Sequence, residues 1–321
     1  MFELINSKKV DLLNLSADLY EHSKFKTKHL HLASENTEKV FMVAFKTVPE
    51  DSTGVAHILE HTALCGSKNF PVRDPFFMML RRSINTFMNA FTSSDWTAYP
   101  FATQNPKDFE NLLKVYTDAA FFPNLDELDF YQEGHRLDIN DKDELEIKGV
   151  VYNEMKGAMS APSSQLWHGM TKHLFPGTTY QFNSGGNPKD ILNLTHLDLV
   201  NFHRSHYHPT NASFYSFGDM NVDELQMYLE ENVMSQFNPL DTALSVPLAK
   251  KFDSPKYSFE YYQPSESKQA NNHVVVSWLL GKSYNSFNLL EKYFLTSLLI
   301  DNSSSPLRQA LETSDLGSAC L

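Results

Sequence analysis

The spacing of apolar positions changes period several times along the chain, and each change marks an element. Leu30–Leu32 and Val40–Lys46, the second rich in Val, Phe and Met, read as strands. Asp51-Ser52-Thr53-Gly54 offers turn and N-cap chemistry ahead of Val55, Ile58, Leu59 and Leu64, which predicts a helix from about Thr53 to Leu64, stopped near Gly66. Asn85–Thr92 and Thr97–Thr103 flank Ser93-Ser94-Asp95 and predict a hairpin. Pro106 and Asp108 open a helix carrying Phe109, Leu112, Leu113, Tyr116 and Ala120, closed by Pro123. Further helices are expected from near Leu125, over Gly149–Ser160 and over Asn193–His206, with a strand at Ala212–Phe217. Strands and helices mixed in this order predict an α+β fold, helices layered on a largely antiparallel sheet.

From Asn238 to Pro255 periodicity fades and Pro239, Pro247 and Pro255 punctuate the chain. This predicts a first domain at 1–237, a linker at 238–256 and the start of a second domain at 257–321. The second opens with strands at Tyr257–Tyr262 and His273–Leu279 and a helix at Ser286–Leu299, the order in which the chain itself began. The run Leu316-Gly317-Ser318-Ala319-Cys320 before Leu321 has no cap or polar tail, so the chain is expected to be a fragment of something longer.

Composition narrows the classes. With 321 residues, 41% of them hydrophobic, a substantial core can form. Thirty-nine acidic against 27 basic residues leave a formal net charge of -12, which argues against nucleic acid as a partner. Cys65 and Cys320 cannot form a disulfide scaffold. The N-terminus has neither a secretory nor a transit signature, and no apolar stretch is long enough to span a bilayer. The cytoplasm is the expected compartment.

The candidate chemistry sits on the predicted helix at Thr53–Leu64. His57 and His61 in His57-Ile58-Leu59-Glu60-His61 are four apart, so both imidazoles stand on one helix face and can reach one metal ion. Glu60 borders that face, where a carboxylate can take a proton from water held at zinc. The pattern is HExxH inverted. A catalytic zinc needs a third protein ligand, and Glu133 and Glu154 are the acidic candidates between which spacing does not decide.

The stretch Asp51–His61, continued by Leu64-Cys65-Gly66-Ser67, closely resembles the presequence protease and falcilysin branch of the pitrilysin/insulysin zinc metallopeptidases. So do Asn85–Thr92, Gly149–Gly157, Tyr180 with Ser184-Gly185-Gly186-Asn187-Pro188, Tyr207–Ala212 and Ser305–Leu311. The resemblance runs in order along nearly the whole chain. It implies a pitrilysin-like catalytic domain followed by the start of a second, non-catalytic one, with one zinc held by His57, His61 and Glu154 and with Glu60 as base. Asn89 and Ala90, with Phe91 alongside, inherit a role in pairing with substrate backbone. The implied activity is endopeptidase cleavage of short unstructured peptides. In that family a second half lends an Arg and a Tyr to the reaction. Here that C-terminal half would be a missing partner, and the chain alone would be a weak enzyme. The alternative is a non-catalytic peptide-binding subunit or fragment that needs such a half.

Other features are assigned blander roles. His203, His206 and His208 read as a structural turn rather than a second metal site, and His29 and His31 as surface residues. Cys65 lies near enough to His61 to be considered as a ligand but reads as a small buried residue.

Overall fold

The computed structural model describes residues 1–241, 244–262 and 272–314. Two strands absent from the sequence reading, β1 (Phe2–Val10) and β2 (Leu15–His22), form a long antiparallel hairpin. β1 is exposed along almost its whole length, so no alternation betrays it. β3 (Lys28–Ala33) and β4 (Lys39–Lys46) follow, then the helix α1 (Val55–Ala63). The next helix is α2 (Pro75–Arg82). Two short strands, β5 (Phe87–Met88) and β6 (Phe91–Thr92), then pair with β7 (Trp96–Thr103) as the predicted hairpin.

α3 (Pro106–Phe121) starts where expected, because the Asn105 side chain accepts from the N–H groups of Lys107 and Asp108 and Pro106 occupies the first turn. It is followed by α4 (Glu127–Glu133), a small hairpin of β8 (Arg136–Ile139) and β9 (Leu145–Lys148), and the helices α5 (Val150–Ala158), α6 (Pro162–Leu174), α7 (Pro188–Ile191) and α8 (His196–His206). β10 (Ala212–Gly218) and α9 (Val222–Asn232) complete this part.

The main sheet runs β1-β2-β3-β10-β4-β7-β5, with β6 beside β7. Only the β3–β10 pair is parallel, so the sheet is largely antiparallel, as expected. The core lies between this sheet and the helices. Phe41, Val43 and Phe45 alternate inward from β4, and Leu112, Tyr116 and Ala120 of α3 meet them together with Tyr99 and Phe101 of β7. On β3 the alternation is inverted. His29 and His31 are buried while Leu30 and Leu32 are half-exposed, which corrects the surface assignment. Both histidines bond to the Ser216 hydroxyl, and the Gln226 amide meets the second nitrogen of His29, so two polar rings are satisfied inside.

The chain divides into two compact units, Met1–Pro247 with Ser258–Asn271, and Leu248–Tyr257 with Asn272–Leu321. In the second, α10 (Ser286–Ile300) forms as expected, capped by Asn285, and α11 (Pro306–Glu312) follows. The strands expected at Tyr257–Tyr262 and His273–Leu279 do not form. Among the described residues no strand pairs with either run, and a strand without a neighbour leaves its backbone groups to water. The terminal run Leu316–Cys320 lies outside the described residues.

Candidate metal centre

Helix α1 is buried on most sides: Ala56, Ile58, Leu59, Thr62 and Ala63 are almost fully enclosed. The His57 and His61 side chains emerge on the remaining face, 12% and 26% exposed, with ring centroids 5.0 Å apart. The helix can start where it does because Gly54 adopts φ 72° and lies under the loop at Gly185 and Gly186. A Cβ at Gly54 would stand 2.8 Å from the Gly185 carbonyl oxygen. That carbonyl accepts a hydrogen bond of 3.0 Å from His57 Nδ1, so His57 carries its proton there and leaves the Nε2 lone pair free. His61 is set in the same way by a carboxylate, Glu133 Oε2, 3.1 Å from its Nδ1.

The two free nitrogens converge on one atom. Glu154 Oε2, from α5, lies 3.7 Å from His57 Nε2 and 3.9 Å from His61 Nε2. The three donor atoms all fall within 4.8 Å of one another. Tetrahedral donors at about 2.0–2.1 Å from a zinc ion stand a little over 3 Å apart, so a small closure of this trio would enclose an ion. Two neutral imidazoles and a carboxylate with an open side also match the donor chemistry of zinc. Glu133, the other acidic candidate, faces the opposite nitrogen of His61 from Glu154. Cys65 is buried, its Sγ against the His61 carbonyl at 3.5 Å, and burial pushes its thiol pKa far up.

Glu60 is 9% exposed and accepts a hydrogen bond from the Thr92 hydroxyl. Burial raises its carboxyl pKa above the ordinary value, against the opposing pull of Thr92, His61 and His57. For His61 burial acts in the other direction, yet Glu133, Glu60 and Glu154 together outweigh it and hold the imidazole above its ordinary pKa.

A cavity of about 490 Å³ joins this cluster to the sheet edge, lined by His57, Glu60, His61 and Glu154 on one side and by Asn89, Ala90, Phe91 and Thr92 on the other. All seven residues singled out in the sequence therefore meet in one place. Residues 87–92 form one edge of the sheet, and the register of β5 and β6 opposite β7 is constant. The strand is nevertheless interrupted at Asn89. Its N–H donates to the Pro100 carbonyl at 3.2 Å, but Pro100 has no N–H to return, and the Tyr116 hydroxyl donates to the Asn89 carbonyl instead. Antiparallel alternation turns the main-chain groups of Met88, Ala90 and Thr92 to the open side, where the Asn89 carboxamide oxygen holds the Ala90 N–H at 2.9 Å. Thr92, Gly185, Gly54 and Tyr116 carry roles that were not anticipated. The paired glycines 185 and 186 were the only visible hint, since adjacent glycines mark a close backbone approach.

The chain belongs to the M16 peptidase family: the profile described as Insulinase (Peptidase family M16) matches residues 48–158 and that of the Peptidase M16 inactive domain matches residues 193–320. Within the family it is presequence protease-like. It is 44% identical over 312 residues to the mitochondrial presequence protease of Xenopus laevis, covering 95% of this chain and 30% of that protein. Against the mitochondrial presequence protease of Schizosaccharomyces pombe the identity is 43% over 323 residues, covering 98% and 32%. The chain thus spans about a third of the length of these relatives. The fold is shared with pitrilysin (TM-score 0.61, 18% identity, 78% of this chain and 26% of that one). A protease from Helicobacter pylori also shares it (TM-score 0.56, 21% identity, 73% and 53%). No helix among the described residues is long and apolar enough to cross a membrane.

Proposed function

We propose that this chain is the zinc-binding, base-bearing part of an endopeptidase that hydrolyses short unstructured peptides. The observation that carries the reading is the convergence of His57 Nε2, His61 Nε2 and Glu154 Oε2 beside Glu60, in a cavity whose far wall is an open sheet edge. A zinc ion bound by the three would supply Lewis acidity, polarising a peptide carbonyl and lowering the pKa of water. Glu60 takes the proton of the attacking water and returns it to the departing amine, and its place beside the three donor atoms suits that exchange. Thr92 holds the carboxylate toward the cavity.

The substrate lies as an added strand along residues 88–92, taking the Ala90 N–H over from the Asn89 carboxamide. Main-chain pairing of this kind favours extended peptides and reads little sequence, and Phe91 offers an apolar surface alongside. Residues 1–237 would form the catalytic domain, 238–256 the linker, and 257–321 the start of a non-catalytic second domain. Because the relatives are about three times longer, full activity is assigned to the chain together with a C-terminal half. Their names also make mitochondria, rather than the cytoplasm, the proposed compartment.

Elemental analysis of the purified chain tests the reading first. About one zinc per chain is expected. Failure to bind zinc even after its addition would overturn the metal site.

A further inference from the structure

The two histidines of α1 are held unequally. His57 Nδ1 faces a neutral backbone carbonyl, whereas His61 Nδ1 faces a carboxylate. Glu133, the last residue of α4, is 8% exposed, and a carboxylate so enclosed is seldom found without partners. Both of its oxygens are engaged: Oε2 by His61 and Oε1 by the Gln132 amide at 3.0 Å. The Gln132 carbonyl oxygen in turn accepts from the guanidinium of Arg73.

Glycines set this chain of contacts in place. A Cβ at Gly134 would lie 3.3 Å from Ile58 Cγ2, so the bare backbone lets the end of α4 approach α1. A Cβ at Gly149, the residue before α5, would come within 1.9 Å of the Gly134 carbonyl oxygen. The backbone that delivers Glu133 is thus pressed directly against the backbone that delivers Glu154.

We propose that Glu133 is a positioning residue of the metal site, fixing the ring of His61 and strengthening Nε2 as a donor, with Gln132 and Arg73 holding Glu133 in turn. The inference rests on zinc binding by His57, His61 and Glu154. A carboxylate accepting the Nδ1 proton fixes tautomer and ring plane, and loss of such a partner typically weakens metal binding about 10–100-fold.

The test is chelator competition for zinc on the whole chain, comparing the unaltered protein with Glu133→Ala, Glu133→Gln, Gln132→Ala and Glu154→Gln, alongside thermal melting of each metal-free form. Glu133→Ala should weaken zinc about 10–100-fold. Glu133→Gln, which keeps an acceptor for His61, should recover part of that loss, Gln132→Ala should lose less than Glu133→Ala, and Glu154→Gln should lose most. Metal-free melting should barely change. Unaltered zinc affinity in Glu133→Ala, a loss that merely follows a collapse in metal-free stability, or a loss as large as that of Glu154→Gln would each overturn the positioning role. Absence of zinc binding by the unaltered chain would instead remove the underlying site.

Discussion

His29 and His31 stand alternately on β3 and both point inward, and the first is tied on both nitrogens, to Gln226 and Ser216. Burial holds the His29 pKa down to about 3 and that of His203, whose Nε2 donates to the Ala120 carbonyl, to about 4. Both rings stay neutral in the folded chain, while the unfolded chain takes up these protons below pH ~6.5. Stability is therefore whole above that pH and declines as pH falls from about 6.5 toward 4, by up to ~1.4 kcal/mol per pH unit for each histidine. Urea unfolding across that range should display the slope, and His29→Gln should remove one proton's share of it. For the proposed base, Glu60→Gln should leave zinc content intact and abolish cleavage of a fluorogenic peptide by active protein. Retained cleavage would exclude Glu60 as base. The clustering of His57, Glu60 and His61 was legible because it follows from spacing on one helix. The inward turn of His29 was not, since the residue that makes it tolerable, Ser216, lies 187 positions away.

At the scale of elements, close packing by bare backbone shapes the site. Gly54 has both a left-handed φ and no room for a side chain, whereas Gly177 has φ 77° with nothing within 4 Å. Gly177→Ala should cost about 1–2 kcal/mol, the intrinsic penalty of the left-handed conformation. Gly54→Ala should cost more and should also weaken zinc binding, because it displaces the carbonyl that orients His57. Thermal melts and zinc titration of the two variants separate these effects. The open edge at residues 88–92 gives a second expectation. With Glu60→Gln protein, a peptide N-methylated at the positions facing Ala90 should bind about tenfold more weakly than its parent, an estimate from the loss of a main-chain hydrogen bond left unmade. Equal affinity would place the peptide elsewhere. The hairpin carrying this edge was predictable from alternation around a turn. Its break was not, because it depends on which residue faces Pro100. Strands β1 and β2 escaped for a different reason: a two-stranded ribbon exposed on its outer strand has no buried face to imprint on the sequence.

On the scale of the whole molecule, the two units differ in how much they bury. The first encloses a continuous core, whereas α10 in the second has no buried residue and exposes Phe287, Leu290, Tyr293, Phe294 and Leu298. Limited proteolysis should cut first around 238–256 and in the segments after it, leaving a resistant fragment that still binds zinc. Loss of zinc on trimming would show that the second unit contributes to the site. Prolines and fading periodicity pointed to a linker at 238–256, whereas the two units part after Pro247 and Ser258 returns to the first, which nothing in the local composition marks.

The orienting partners of the two histidines come from far along the chain. Glu133 lies 72 residues beyond His61, and Gly185 lies 128 residues beyond His57. A chain emerging from the ribosome presents helix α1, with its two histidines, long before it has either partner. Until Gly185 has been synthesised and seated over Gly54, His57 is free to turn and the trio has no fixed geometry. On the proposed chemistry, a half-made or half-folded copy would lack the geometry that cleavage needs, by arithmetic of position alone.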